Sequence, residues 1–543
     1  MLKEIATAIV EKALKKSYPE NHPVIICEVP KNPKHGDISV NVAMQLARPL
    51  DKSPVEIAQK ILSNFEHNVD IIEKVAIAGP GFINLTFNPH FVSSCLKNIL
   101  DDSENFGRQD IGKGKRVNVE YVSANPTGLL HLGHGRNAVI GDTVANLYEW
   151  LGYEVTREYY FNNAGNQMNN LAKSIYARYR QMNDPEFPFP EDGYHGDYIK
   201  IIAEDIFKKY PSNIPGSDAE VLEICRKSGE EWCFNKIINT LNRMKINQDV
   251  FFNEDSLYSD GLIDDVINEF KNLGLAYEKD GAWWLKFTEL GLESDRVIVK
   301  SSGEPTYRLP DIAYHREKFR RGYDLLIDVF GADHIATVPD VLAGVKALGY
   351  DPDAVKVLIH QFVSLTENGQ QVKMSKRTGK SYTLDDLLEE VGEDVVRFFL
   401  LMRGIGTHLE FDLSLAREQS DKNPVFYLQY AHARICSLLD KAPELQGIET
   451  ELTLLTANEE LTLIKKLLLF PESIKVAANK FEPQILAEYL RDTASLFHVF
   501  YHNCRIIGVD ERLGAARLLL AKAAGMVIES GLKILGINAP ERM

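Results

Sequence analysis

Arg116-Val117-Asn118-Val119-Glu120-Tyr121-Val122-Ser123-Ala124-Asn125-Pro126-Thr127-Gly128 alternates as a strand and then breaks into a polar loop, and His131-Leu132-Gly133-His134 opens a helical run just beyond it. The helical pattern extends from about Gly133 to Leu151, with Gly152 placed to stop it. Glu154-Val155-Thr156-Arg157-Glu158-Tyr159-Tyr160 then begins a second strand. Strand, loop, helix and strand in this order predict a parallel, nucleotide-binding sheet of the Rossmann type.

Upstream, residues 1–110 mix a helical face (Ile5, Ala8, Ile9, Ala13) with strand-like runs on either side of Gly79-Pro80-Gly81, which reads as an α+β domain. Gly107 to Lys115 reads as a linker. Downstream, residues 180–290 hold 12 Lys+Arg against 22 Asp+Glu and look helical, an acidic insertion into the sheet domain. Strand patterns resume at Arg296–Lys300 and Asp324–Phe330, and from Asn423 to Met543 the pattern is helical throughout. The expected architecture is multidomain α/β. It has an α+β domain over 1–110, a Rossmann-type parallel-sheet domain over 111–422 with the insertion at about 180–290, and an all-α bundle over 423–543.

The chain has 543 residues and a formal net charge of −16. Its 45% apolar and 25% charged content excludes a chain disordered throughout. Such an acidic balance argues mildly against a nucleic-acid partner, because phosphate contacts come from Lys and Arg. Resolved by region, however, most of the excess acid lies in 180–290. The six cysteines form no CxxC pair, so a zinc knuckle or disulfide framework is not expected and a reducing cytoplasm fits. Met1–Ile5 leads into a charged amphipathic pattern, and the apolar stretch Leu513–Ile537 is broken by Arg517, Lys522, Glu529 and Lys533, so no membrane span is expected.

Two motifs carry chemistry. A helix N-terminus following a parallel strand attracts phosphate, Gly133 permits close approach, and His131 and His134 are placed to donate to phosphate oxygens. Read alone, the tetrapeptide fits two histidines that merely cap the helix equally well. Zinc binding fits less, with no HExxH spacing and no Cys nearby. The second motif, Val372-Lys373-Met374-Ser375-Lys376-Arg377-Thr378-Gly379-Lys380, gathers positive charge that can clamp a polyphosphate; taken alone it is a solvated basic loop.

In order and spacing the pair resembles the HIGH and KMSKS signatures of class I aminoacyl-tRNA synthetases, with Leu132 and Arg377 as mild departures. The neighbouring segments narrow the resemblance to the arginyl-tRNA synthetase family. They are Val119–Gly128, Asn163-Ala164-Gly165-Asn166-Gln167, Tyr307-Arg308-Leu309-Pro310-Asp311, Gly331-Ala332-Asp333-His334, Phe426–Ile435 and the closing Leu535–Met543. Gly36-Asp37 with Asn41–Ala47 is similar to that family's appended N-terminal domain.

The chemistry agrees on independent grounds. A guanidinium needs carboxylates in bidentate reach. Glu120 sits at the carboxyl end of a strand, where open α/β sheets bind ligands, although a carboxylate there is commonly just solvated. Asp311 is a second acid, with Tyr307 just before its helix and Pro310 at a first helical position. The resemblance implies that Ser123 and Asn125 hold the substrate's ammonium and carboxylate groups, although Asn125 also reads as the turn before Pro126. It further implies that Asp333 contacts the ribose and that Lys373, Met374, Ser375 and Lys376 join His131, Gly133 and His134 in binding ATP. Catalysis is assigned to His131, His134, Lys373 and Lys376. The implied activity is ligation of L-arginine to tRNA(Arg) with ATP as substrate, Mg2+ accompanying the ATP and no zinc. Activation is expected to depend on bound tRNA, and the enzyme is expected to be a cytoplasmic monomer. Phe426, Tyr427, Tyr430, Arg434, Tyr489 and Arg491 offer rings and charge for stacking bases, against the plainer reading of bundle core.

Overall fold

The computed structural model describes residues 1–21, 23–372 and 382–543. The basic loop motif Lys373, Met374, Ser375, Lys376 and Arg377 therefore lies outside the described residues.

The central sheet has five parallel strands: β1 (Arg116–Glu120), β2 (Glu154–Phe161), β3 (Val250–Asn253), β4 (Leu325–Gly331) and β5 (Val355–His360). Their spatial order is β5-β4-β1-β2-β3, so the winding direction reverses between β1 and β4. In a doubly wound sheet that reversal opens the ligand crevice at the carboxyl ends of the two strands. Helix α1 (Leu132–Trp150) follows β1 and ends at Gly152, whose φ of +81° suits the left-handed stop. Gly141 on α1 lies so close to β1 that a Cβ there would fall 2.2 Å from the Tyr121 ring. Helix α2 (Arg308–Arg320) precedes β4.

Three expectations need correction. The 180–290 stretch is not purely helical, for it supplies β3, the sheet's edge strand, as well as the long helices Asp197–Lys209 and Asp218–Arg243. Arg296–Val299 is a strand, but it pairs antiparallel with Ala282–Leu285 in a small separate sheet. Its four residues look like a Rossmann strand because both environments favour short apolar β-branched runs. Pro310 is the third residue of α2, not the first. The opening turn tolerates it there because its N–H would have no intrahelical partner. Tyr307 does sit just before the helix.

Residues 1–110 build a four-stranded antiparallel sheet with helices Leu2–Ser17, Val42–Leu50 and Pro54–Ser63. Gly36 in it has φ +84° and a Cβ there would meet the Leu85 carbonyl oxygen at 2.7 Å, so no other residue fits. The bundle contains the helices Pro424–Lys441, Asn458–Leu467, Phe470–Lys480, Gln484–Asn503 and Glu511–Ile534. Among the described residues, no helix is long and apolar enough to cross a membrane.

Candidate active site

The β1 end is strained. Val122 and Ser123 both have positive φ, +70° and +42°, and a β-branched residue there is a real outlier. The conformation is held from α1: the Asn137 side chain accepts from the Val122 N–H at 2.6 Å and donates to the Val329 carbonyl of β4 at 2.7 Å. One amide thus ties together the two strands that bound the crevice.

On the nucleotide side, His131 caps α1. Its Nδ1 accepts from the N–H groups of Gly133 at 3.1 Å and His134 at 3.4 Å, while His134 Nδ1 accepts from the His131 N–H at 3.3 Å. The two rings stack with centroids 3.7 Å apart. A Cβ at Gly133 would come within 2.9 Å of the His131 ring, so the glycine makes room for the cap itself. Both histidines thus take part in capping the helix. The Gly133 and His134 amides are engaged by the ring, and Nδ1 acceptance places the proton of each neutral imidazole on Nε2. Burial, followed by the nearby His131 and His360, pushes His134 down to about 3, so its ring is neutral at any working pH. His360 closes β5, where burial lowers its imidazole, and Asp333 lies exposed beyond β4, near enough to oppose that shift.

On the other side, Glu120 is 3% exposed. Its carboxylate accepts from Lys318 Nζ at 2.6 Å and from Ser123 Oγ at 3.0 Å. Ser123 Oγ in turn accepts the Tyr160 N–H at 3.1 Å. Asn125 bridges strand ends, accepting from the Asn162 N–H at 3.0 Å and donating to Gln167 at 3.0 Å. Asp311 opens toward the same acids. Burial first, then Glu120, Glu254 and Asp328, raise its carboxyl to about 7 against the opposing pull of His315. No described residue donates a hydrogen bond or ion pair to that carboxyl. Tyr307, expected to stack or bond there, is instead 88% exposed.

The structure thus brings together Glu120, Ser123, Asn125 and Asp311 on one side, and His131, Gly133 and His134 on the other. Tyr307 and Asp333 stand at the solvent edge. Sequence reasoning missed Glu254, Asn137, His360, Lys318 and His315. Of these, only Lys318 and His315 carried any signal, seven and four residues after Asp311 on one helical face. In the bundle, Tyr489 is buried with its hydroxyl donating to the Lys466 carbonyl at 2.8 Å, so the core reading holds for it. Tyr430 is exposed, with the Arg434 guanidinium 4.6 Å from its ring centre.

Comparisons with known proteins agree with this geometry. Residues 3–87 match the profile described as Arginyl tRNA synthetase N terminal domain. Residues 95–399 match tRNA synthetases class I (R), catalytic domain, and residues 428–543 match DALR anticodon binding domain. An arginine–tRNA ligase of Salinibacter ruber is 49% identical over 537 residues, covering 95% of each chain. That of Bacillus licheniformis is 44% identical over 99% of this chain and 98% of its own. The arginyl-tRNA synthetase structure of Thermus thermophilus superposes over the whole of both chains with a TM-score of 0.80 at 23% identity, a likeness of fold. With a histidine-capped helix leaving β1, a group of desolvated acids on β1 and β4, and near-full-length relatives at these identities, the chain belongs to the arginyl-tRNA synthetase family.

Proposed function

We propose that the protein is an arginine–tRNA ligase that activates L-arginine with ATP and transfers it to tRNA(Arg). The observation that carries this reading is Asp311, a carboxyl with no hydrogen-bond or ion-pair partner among the described residues, in the sheet domain whose β1 leads into the α1 N-terminus. Such a carboxyl suits a cation, and a helix N-terminus suits phosphate.

Glu120 and Asp311 are proposed to receive the guanidinium, with Tyr307 folding over it when arginine enters. Ser123 keeps an acceptor lone pair for the substrate ammonium, and Asn125 keeps one amide hydrogen for its carboxylate, in addition to the bonds they now make. The arginine carboxylate is ionised at neutral pH, so attack on the α-phosphorus needs no general base. Positioning and charge stabilisation are the tasks left to the protein. The Nε2–H groups of His131 and His134 are proposed to donate to phosphate oxygens, with Gly133 keeping that approach open. Asp333 is proposed to contact the ribose, and Lys373, Met374, Ser375 and Lys376 to bind on the pyrophosphate side. Among the described residues no cluster of His, Cys, Asp and Glu could hold a metal ion, so Mg2+ is proposed to arrive on the ATP phosphates.

The chain is proposed to divide into 1–110, 111–422 with its acidic insertion, and 423–543. Activation is proposed to require tRNA, and the protein to act as a cytoplasmic monomer. The test is to offer total tRNA with each of the twenty amino acids. Charging by arginine alone is the expected result, and charging by another amino acid, or by none, would sink the reading. ATP–pyrophosphate exchange without tRNA should be negligible.

A further inference from the structure

Glu120, Glu158 and Asp328 stand abreast on three adjacent parallel strands, Glu120 in register with Glu158 on one side and with Asp328 on the other. Equal register in a parallel sheet sends all three side chains to one face. That face is covered by α2, and its stripe of Asp311, Tyr314, His315 and Lys318, continued by Arg321 just past the helix end, follows helical spacing. A layer of ions therefore lies where helix and sheet would ordinarily share an apolar core.

Within the layer three cations meet three acids. Lys318, 0% exposed, gives Nζ to Glu120 at 2.6 Å and to Asp328 at 2.7 Å, above the Tyr314 ring at 4.3 Å. Arg321 clasps both oxygens of Glu158 at 2.8 Å, which also accept from the Tyr314 hydroxyl at 2.7 Å and Asn118 at 2.6 Å. His315 places Nδ1 2.7 Å from the Asp311 carbonyl oxygen and Nε2 2.9 Å from Asp328. Both of those partners only accept, so the ring donates twice and is an imidazolium. Burial opposes that charge, but Asp328 outweighs it and raises His315. Lys318, His315 and Arg321 then neutralise Glu120, Asp328 and Glu158. Asp311, on the same stripe nearer the crevice, is left over, with Glu254 beside it.

We propose that Lys318 is a positioning residue for arginine. Its ammonium, shared between two strands, favours the charged form of Glu120 against burial and braces its carboxylate beside Ser123 at the pocket floor. By completing the neutralisation of the layer, it also leaves the acid at the mouth for the substrate's own cation. The proposal rests on the function proposed above. A buried lysine that merely glued α2 to the sheet would affect stability and all substrates alike, whereas a positioning lysine acts on arginine selectively.

The full-length protein is compared with Lys318→Met, which keeps the length and removes the charge, by measuring arginine and ATP KM in aminoacylation at saturating tRNA(Arg). The arginine KM should rise about 30-fold or more while the ATP KM stays within about threefold. Lys318→Arg, which keeps the charge, should return the arginine KM to within about fivefold of the parent. If Lys318→Met does not fold, the pair Lys318→Met with Asp328→Asn, which removes an acid together with the cation, is read the same way. An unmoved arginine KM, or arginine and ATP KM values rising together, overturns the positioning role. Failure of the parent to charge tRNA(Arg) with arginine would instead sink the proposed function, so the two failures are distinguishable.

Discussion

Asp311 is a desolvated carboxyl with no hydrogen-bond or ion-pair partner among the described residues, and this has a pH signature. Burial and then the neighbouring Glu120, Glu254 and Asp328 hold it near 7, with His315 opposing, so the unliganded site is substantially protonated at neutral pH. A guanidinium needs the ionised form. The arginine KM should therefore fall as pH rises from about 5.5 to 7.5, approaching tenfold per unit at the acid end, and level off above. A raised carboxyl costs stability as pH climbs from its unfolded value near 4 through 7, so arginine should raise the melting temperature more at pH 8 than at pH 6. Asp311→Asn should abolish this profile and raise the arginine KM about 100-fold; a mutant with the parental profile would assign the titration elsewhere. His131→Ala and His134→Ala should each slow single-turnover aminoacylation about 100-fold with little change in arginine KM. Each should also cost about 1 kcal/mol of stability through the lost cap. Since His134 titrates near 3, the kcat profile should show no inflection from it between pH 5.5 and 8. These residues were legible because Glu120, His131 and His134 lie in one contiguous local pattern. Lys318 was not, because a lysine at helical spacing from other charges reads as a solvated face until the register of three strands is known.

Helix α1 does two jobs that depend on its distance from β1. Its first turn presents the capped histidines, and Asn137 braces the strained β1 end from its second turn. Both need the helix to lie close, which Gly141 permits at the Tyr121 ring. Gly141→Ala would gain helix propensity of about 1 kcal/mol, yet the forced overpacking costs about 1–3 kcal/mol and should dominate. The urea midpoint should fall accordingly; a rise would mean that Tyr121 gives way freely. The β1–loop–α1–β2 unit was readable as an element because strand alternation, helix start and glycine stop are all local signals. The edge strand Val250–Asn253 was hidden, since four residues inside an acidic helical stretch carry no periodicity of their own. Arg296–Val299 was visible as a strand but not as to which sheet it joins, because partner choice is a tertiary property.

Across the whole molecule, the net charge of −16 summarised the wrong thing, since the acid is concentrated away from the bundle while the decisive charges are buried in pairs. Two cations bridge domains and differ sharply in burial. Lys465 of the bundle meets Asp37 of the N-terminal domain at 2.5 Å in a partly solvated pair. Arg397 is fully buried, donating to Asp142 on α1 at 2.5 Å, to the Met244 carbonyl at 2.6 Å and to the Leu535 carbonyl at 2.9 Å. It thus pins α1, the end of the acidic stretch's long helix and the chain's last segment at one point. Gly536, with φ +70°, lies against the same guanidinium, where a Cβ would clash with it. Removing the cation would leave Asp142 with Arg157 at 3.9 Å and strand two buried carbonyls. Arg397→Met should therefore cost about 3 kcal/mol or more, whereas Lys465→Ala should cost no more than about 1 kcal/mol. Because the lost bonds connect domains, the Arg397→Met protein should also melt less cooperatively, with the bundle loosening first. Limited proteolysis should then open the chain between the catalytic sheet and Pro424 at temperatures where the parent resists. Adding Asp142→Asn to Arg397→Met should recover part of the stability by removing the stranded charge. Full independence of the two substitutions in a double-mutant cycle would show that Arg397 acts through its carbonyl bonds alone.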